Sequence, residues 1–196
     1  NYSAIIGPID GASLKEVSNQ ANKSNVPVIA PFPVKNSLSY DNVFYSYPSD
    51  KEQRERILAY LEKKFVNENI IIIADAENKA VEEKIKARFP DAKIVKIKEE
   101  KKNIAINLEK LATLFSEEEE NWVFLETENP KLVSSVSSIL NSIYTKEVKV
   151  KMFTTNRNKG FENDVISNAH LSNLNFTYPS AYREISNNSF VKRYKK

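Results

Sequence analysis

Apolar residues along this chain fall into two alternating patterns. Short runs rich in Ile and Val (Ala4–Ile6, Pro27–Ala30, Ile70–Ala74 and Trp122–Glu126) are each followed by a stretch whose apolar positions lie three or four residues apart or by an extended loop. The runs predict buried β-strands and the spaced stretches predict amphipathic helices. Helical stripes are formed by Leu14, Val17 and Ala21; by Ile57, Leu58, Leu61 and Phe65; and by Ala80, Val81, Ile85 and Phe89. Two more follow at Ile104, Leu108, Leu111 and Phe115, and at Leu132, Val133, Val136, Ile139, Leu140 and Ile143. Asn42–Tyr47 and Lys93–Ile97 alternate like outer strands, and Val148–Phe153 and Leu174–Tyr178 complete the strand set. A short helix is expected over Glu162–His170, and Lys98–Lys102 reads as a solvated loop.

Boundary residues support this reading. Gly7-Pro8 makes a turn, and Pro31 and Pro33 impose an extended loop because each has a fixed φ and no backbone donor. Ser49 and Glu52 form a capping box, and Asn129-Pro130 supplies an N-cap followed by a first-turn proline. Ser13 opens the first helix and Asp75 the turn into the third.

Strands alternating with helices predict an α/β fold of three-layer, doubly wound parallel sheets. Residues 70–178 hold five strands in order, a complete unit, whereas residues 1–47 hold three strands and one helix. The expectation is two lobes with the first incomplete: residues 1–47 belong to the first lobe, 48–178 form the second, and 179–196 return to the first. On this reading the chain is a piece of a longer protein. The exposed edge at Ala4–Ile6 would then favour a homodimer through strand pairing.

Composition removes several function classes. Lys and Arg number 29 against 26 Asp and Glu, with the signs interspersed, which argues against a nucleic-acid or anionic-membrane partner. Cysteine is absent, excluding disulfides and thiolate chemistry, and no run of 18 apolar residues predicts a membrane span. Three glycines leave no room for a dinucleotide fingerprint, and His170, the single histidine, has no triad pattern around it. Glu117–Glu120 lacks the spaced ligands of a calcium loop and reads as a solvated turn. Trp122 opens a buried strand and reads as core. The chain is expected to be non-catalytic, with no cofactor and no metal site.

Ala4-Ile-Ile-Gly-Pro8, a helix, and then Val26-Pro-Val-Ile-Ala-Pro31 resemble the middle of the first lobe of type 1 periplasmic binding proteins. Val43–Asp50 with Ile70–Asp75 resembles that family's passage into the second lobe, and Asn173–Tyr178 with Phe190–Tyr194 its return. The Asn- and Lys-rich character resembles envelope members from Bacteroidetes, which are often joined to peptidoglycan-binding LysM repeats. The resemblance implies a solute-binding module of the bacterial periplasm or cell envelope. Its ligand would be a small polar solute such as an amino acid, held in an interlobe cleft.

In open α/β sheets ligands sit beyond the carboxyl ends of the strands. The loops there are 7–13, 31–37, 75–78, 126–129 and 154–158. The resemblance implies that Ser13 and Ser37 take a ligand carboxylate, and that Asp75 or Glu126 holds an ammonium group. Thr154-Thr-Asn-Arg157 is polar at a strand end and could face the solute, with Thr154 and Asn156 as the candidates. The family's Asp-x-x-Tyr-Gly turn is Asp75-Ala-Glu-Asn-Lys79 here, so its aromatic wall is missing. That departure supports an alternative: an interaction scaffold with a degenerate cleft, binding a protein partner in peptidoglycan synthesis or turnover.

Overall fold

The computed structural model describes residues 3–8, 10–32, 40–100, 103–105 and 108–181. Ser37 and the Phe190–Tyr194 stretch lie outside the described residues. The chain divides into two compact units, Asn1–Gln53 with Ser180–Lys196, and Arg54–Pro179.

In the first unit, β1 (Ile5–Ile6), β2 (Val28–Ala30) and β3 (Val43–Tyr45) form a parallel sheet in the order β1-β2-β3. Helix α1 (Gly11–Lys23) covers one face, burying Leu14 and Ala21 against Val28 and Ala30. Its N-cap is Asp10, not Ser13: the Asp10 carboxylate accepts from Ala12 N and Ser13 N, at 3.1 and 2.9 Å. Ser13 is thus the third helical residue, and its bonds hold the Asp10 carboxyl below the usual carboxylate range. Gly7, at φ +114°, takes a backbone conformation that only glycine adopts freely.

In the second unit, β4 (Asn69–Ala74) is buried along its whole length, as its unbroken Ile run requires. It follows α2 (Asp50–Lys64), which starts at the expected capping box: Ser49 N donates to Glu52 Oε2 at 2.8 Å and Glu52 N to Ser49 Oγ at 3.3 Å. After β4 come α3 (Lys79–Arg88), β5 (Lys93–Val95), β6 (Lys98–Glu100), β7 (Asn103–Ala105), α4 (Leu108–Ala112) and β8 (Asn121–Glu126). Then follow α5 (Pro130–Ile143), capped by Asn129, β9 (Val150–Phe153) and α6 (Asn168–Asn173).

Strands β5-β4-β8-β9 form one parallel sheet in that order, with Ala74 paired to Glu126 and Phe124 to Phe153. Alternation along each strand divides the core into two layers. Ile70, Ile72, Trp122, Phe124 and Phe153 pack with residues of α2 and α3. Ile71, Ile73, Val123, Leu125 and Met152 pack with Leu111 of α4 and the apolar face of α5. Helices on both faces of a parallel sheet make this a three-layer α/β unit.

Four expectations change. Lys98–Glu100 and Asn103–Ala105 form an antiparallel pair rather than a loop running into a helix, and α4 begins only at Leu108. Main-chain bonds make that pairing, and they leave no side-chain period to read. The helix expected from Glu162 starts at Asn168, where Ser167 Oγ accepts from His170 N at 3.3 Å. Leu174–Tyr178 touches the sheet through a single parallel bridge, Phe153 with Thr177. Ala80 is exposed, and Glu82 takes its place beside Val81 and Ile85 on the buried face of α3.

Candidate functional site

Because the strands of the second unit are parallel and in register, the first polar residues after each apolar run arrive together at one end of the sheet. These are Asp75 after β4, Glu126 and Thr127 at the end of β8, and Thr154 and Thr155 after β9, all of them buried. The sheet order places the reversal of chain direction between β4 and β8: from β4 the chain moves outward to β5, then crosses back to β8 on the other side. In open α/β sheets such a reversal, beyond the carboxyl ends of the strands, is where ligands bind. Asp75 and Thr127 stand on either side of the reversal and are bonded to each other.

The groups there are bonded into two clusters, one around Asp75 and Thr127 and one around Glu126 and Thr155. Asp75 Oδ1 accepts from Asn78 N at 3.1 Å and Asn78 Nδ2 at 2.7 Å, while Oδ2 accepts from the Thr127 hydroxyl. Thr127 Oγ1 accepts in turn from Asn129 N at 3.0 Å. Glu126 Oε1 accepts from Thr155 N at 2.6 Å and Oε2 from Thr155 Oγ1 at 2.9 Å. Thr155 Oγ1 also accepts from Arg54 Nε at 3.0 Å, which ties α2 to the end of β9. Burial pushes the Glu126 carboxyl up to about 7, against the opposing pull of the Thr155 bonds and the Arg54 charge.

The following loop is held as closely. Asn158 Nδ2 donates to Thr127 O at 3.0 Å, and its Oδ1 accepts from Gly160 N at 2.8 Å. A Cβ on Gly160 would lie 2.6 Å from Glu128 O, so only glycine fits where these two loops pass. Gly160→Ala is expected to cost about 2 kcal/mol of stability, read as a lowered urea midpoint, because a backbone oxygen cannot rotate away. An unchanged midpoint would show that the two loops separate freely. Arg157 lies over the Tyr178 ring at 4.6 Å, bonds its hydroxyl at 2.6 Å, and reaches Glu162 at 3.8 Å.

Four of the six residues expected to form the site, Asp75, Glu126, Thr154 and Asn156, lie together at these strand ends. Ser13 belongs to the first unit. Asp75 caps the 3-10 turn Ala76–Asn78, and Thr154 Oγ1 donates to Asn156 O at 3.1 Å. Thr127, Thr155 and Asn158 fall within the loops expected near the ligand, whereas Arg54 was not anticipated there. Arg54 did carry a signal, since it sits three and four residues before Ile57 and Leu58, on the helix stripe otherwise reserved for apolar side chains. Glu120, within the presumed solvated acidic turn, accepts from Trp122 Nε1 at 2.8 Å and pairs with Lys151 at 3.0 Å.

A groove of about 360 Å³ opens near the amino ends of β4 and β5, lined by Phe65, Asn67, Arg88, Phe89 and Lys93 among others. It lies at the opposite end of the sheet from the polar clusters. Its arginine is already committed to Glu55 and Glu62, at 2.9 and 2.6 Å.

No protein-family model matches the chain. No curated protein matches it either. Solved structures of substrate-binding proteins are similar to it. An ABC transporter substrate-binding protein from Desulfitobacterium hafniense in complex with Leu shares 15% identity at a TM-score of 0.42, over 78% of this chain and 46% of that one. A further structure of an ABC transporter substrate-binding protein from the same organism gives 16% and 0.44 over the same shares. A branched chain amino acid ABC transporter from Thermus thermophilus with bound valine gives 13% and 0.38, over 90% of this chain and 46% of that one. The chain spans just under half the length of each. Among the described residues, no helix is long and apolar enough to cross a membrane.

Proposed function

We propose that the chain is a non-catalytic solute-binding module of the bacterial periplasm or cell envelope. It holds a small polar solute, such as an amino acid, beyond the carboxyl ends of β4, β8 and β9. One observation carries this reading: the polar groups of Asp75, Glu126, Thr127, Thr154 and Thr155 sit where the sheet order reverses. A sheet that is otherwise apolar at its centre concentrates hydrogen-bonding groups there. The non-catalytic part of the reading draws support from the carboxylates themselves. Both accept from fixed donors of the chain, which suits supports for loops better than a general acid or base.

The same observation favours a second reading, a scaffold whose former solute crevice is filled by its own side chains and which binds a protein of peptidoglycan synthesis or turnover. Native mass spectrometry separates the two. Under the first reading, protein purified without added solutes carries a small-molecule mass, or gains one from a mixture of amino acids. A bare mass unmoved by such mixtures would overturn the solute reading and leave the scaffold.

A further inference from the structure

Most charged side chains at the strand ends of the second unit have a partner of opposite charge or a full set of donors. Arg157 has Tyr178 and Glu162, and Asp75 has Asn78 and Thr127. Arg54 differs. It is half-buried on the apolar stripe of α2, and among the described residues its only hydrogen bond is from Nε to Thr155 Oγ1, at 3.0 Å. Among the described residues no carboxylate lies within ion-pair distance of its two Nη groups.

We propose that Arg54 anchors a carboxylate of the bound solute at the carboxyl ends of β8 and β9. The inference rests on the solute-binding reading and names the chemistry of its ligand.

Three features support it. The Thr155 bond uses Nε and fixes the guanidinium plane, leaving the four Nη hydrogens as a pre-set fork that matches the two oxygens of a carboxylate. Thr155 is itself held by Glu126, so the fork stands on a buried support and loses little freedom on binding. Glu126 is the carboxyl whose charge acts on Arg54, and burial raises it against that pull, so it compensates the guanidinium only in part. A half-buried cation that is only partly compensated costs free energy that an incoming anion relieves. The neighbourhood also selects the anion. Asp75 and Glu126 lie at adjacent strand ends, so a single-charged carboxylate fits better than a doubly charged phosphate.

Nitrogen-15 NMR of the Arg54 Nε–H and the Thr155 amide tests this with sodium acetate as the probe, at ionic strength held constant with sodium chloride. Acetate is expected to shift both signals saturably. Acetamide, its neutral counterpart, and sodium phosphate should bind at least about tenfold more weakly. Arg54→Gln should abolish the acetate shift at Thr155. Arg54→Lys, which keeps the charge but loses the fork, should weaken it about tenfold and gives a reading even if the Gln variant does not fold. Equal responses to acetate and acetamide, or an undiminished Thr155 shift in a folded Arg54 variant, would overturn the assignment. Tighter binding of phosphate than acetate would also overturn it. Acetate examines Arg54 whatever the natural solute is. A failed solute search therefore sinks the module reading, whereas an insensitive Arg54 sinks this inference alone.

Discussion

Replacing Asn121 with alanine is expected to destabilise the Arg54–Pro179 unit by about 3 to 4 kcal/mol. Asn121 is the first residue of β8 and is wholly buried. Its Oδ1 accepts from Asn69 Nδ2 at 2.6 Å and from Ser116 N at 2.8 Å. Its Nδ2 donates to the carbonyls of Ser116 and Lys149, both at 2.9 Å. One side chain thus joins β4, the loop before β8, and the start of β9. Alanine leaves Ser116 N and Ser116 O unsatisfied in a partly buried place, and an orphaned group costs more than the bond it made. Lys149 O still accepts from Asn121 N at 2.9 Å, and Asn69 Nδ2 still reaches Leu114 O at 2.8 Å, which limits the loss.

Urea denaturation followed by fluorescence of Trp122, on the same strand, would measure the effect. Asn69→Ala should cost less, about 1 to 2 kcal/mol, and the double variant less than the sum, since the two side chains share a bond. A loss below about 1 kcal/mol for Asn121→Ala would mean that the network does not hold the amino ends of the strands together.

The second large effect concerns Glu126 and pH. Its carboxyl is raised from 4.5 in the free side chain to about 7 in the folded chain, with burial as the main cause. The sign follows from proton binding. Below pH 4.5 both states are protonated and the full stability is present. As pH rises toward 7 the unfolded chain releases its proton first, so stability falls through that window and levels off above it. The shift corresponds to about 3 kcal/mol.

Arg54 is the charged group that acts on this site, and it opposes the rise. Glu126→Gln keeps the shape and stays neutral. It should flatten the fall between pH 4.5 and 7 and, at pH 8, be more stable than the parent by about 2 kcal/mol, part of the gain being offset by an altered bond to Thr155. Parallel pH profiles for parent and variant would overturn the assignment of the slope to Glu126.

Much of this protein is legible in its residues. The unbroken Ile70–Ile73 run could only be a central strand, and Leu132, Val133, Val136 and Leu140 could only be one face of a helix. Burial on two faces, or on one stripe, selects side chains at every position it touches. Caps at Ser49–Glu52 and Asn129 are readable for the same reason, since the bond is made between near neighbours in the chain. Asp75, Glu126, Thr154 and Asn156 could be placed together at the strand ends because polar groups that end an apolar run lie at the end of a sheet.

Other features were settled only by tertiary structure. The pairing of Lys98–Glu100 with Asn103–Ala105 depends on main-chain bonds that no side-chain pattern records. Asp10 displaces Ser13 as the cap through a helix start two residues earlier, a difference that local propensity does not resolve. That Asp75 and Glu126 are engaged by Thr127 and Thr155, and that Arg54 reaches a residue 101 positions away, follows from strand register and helix docking. Which residues are apolar or polar is written along the chain. Which polar groups meet is decided by distances that exist only once the sheet has closed around its core.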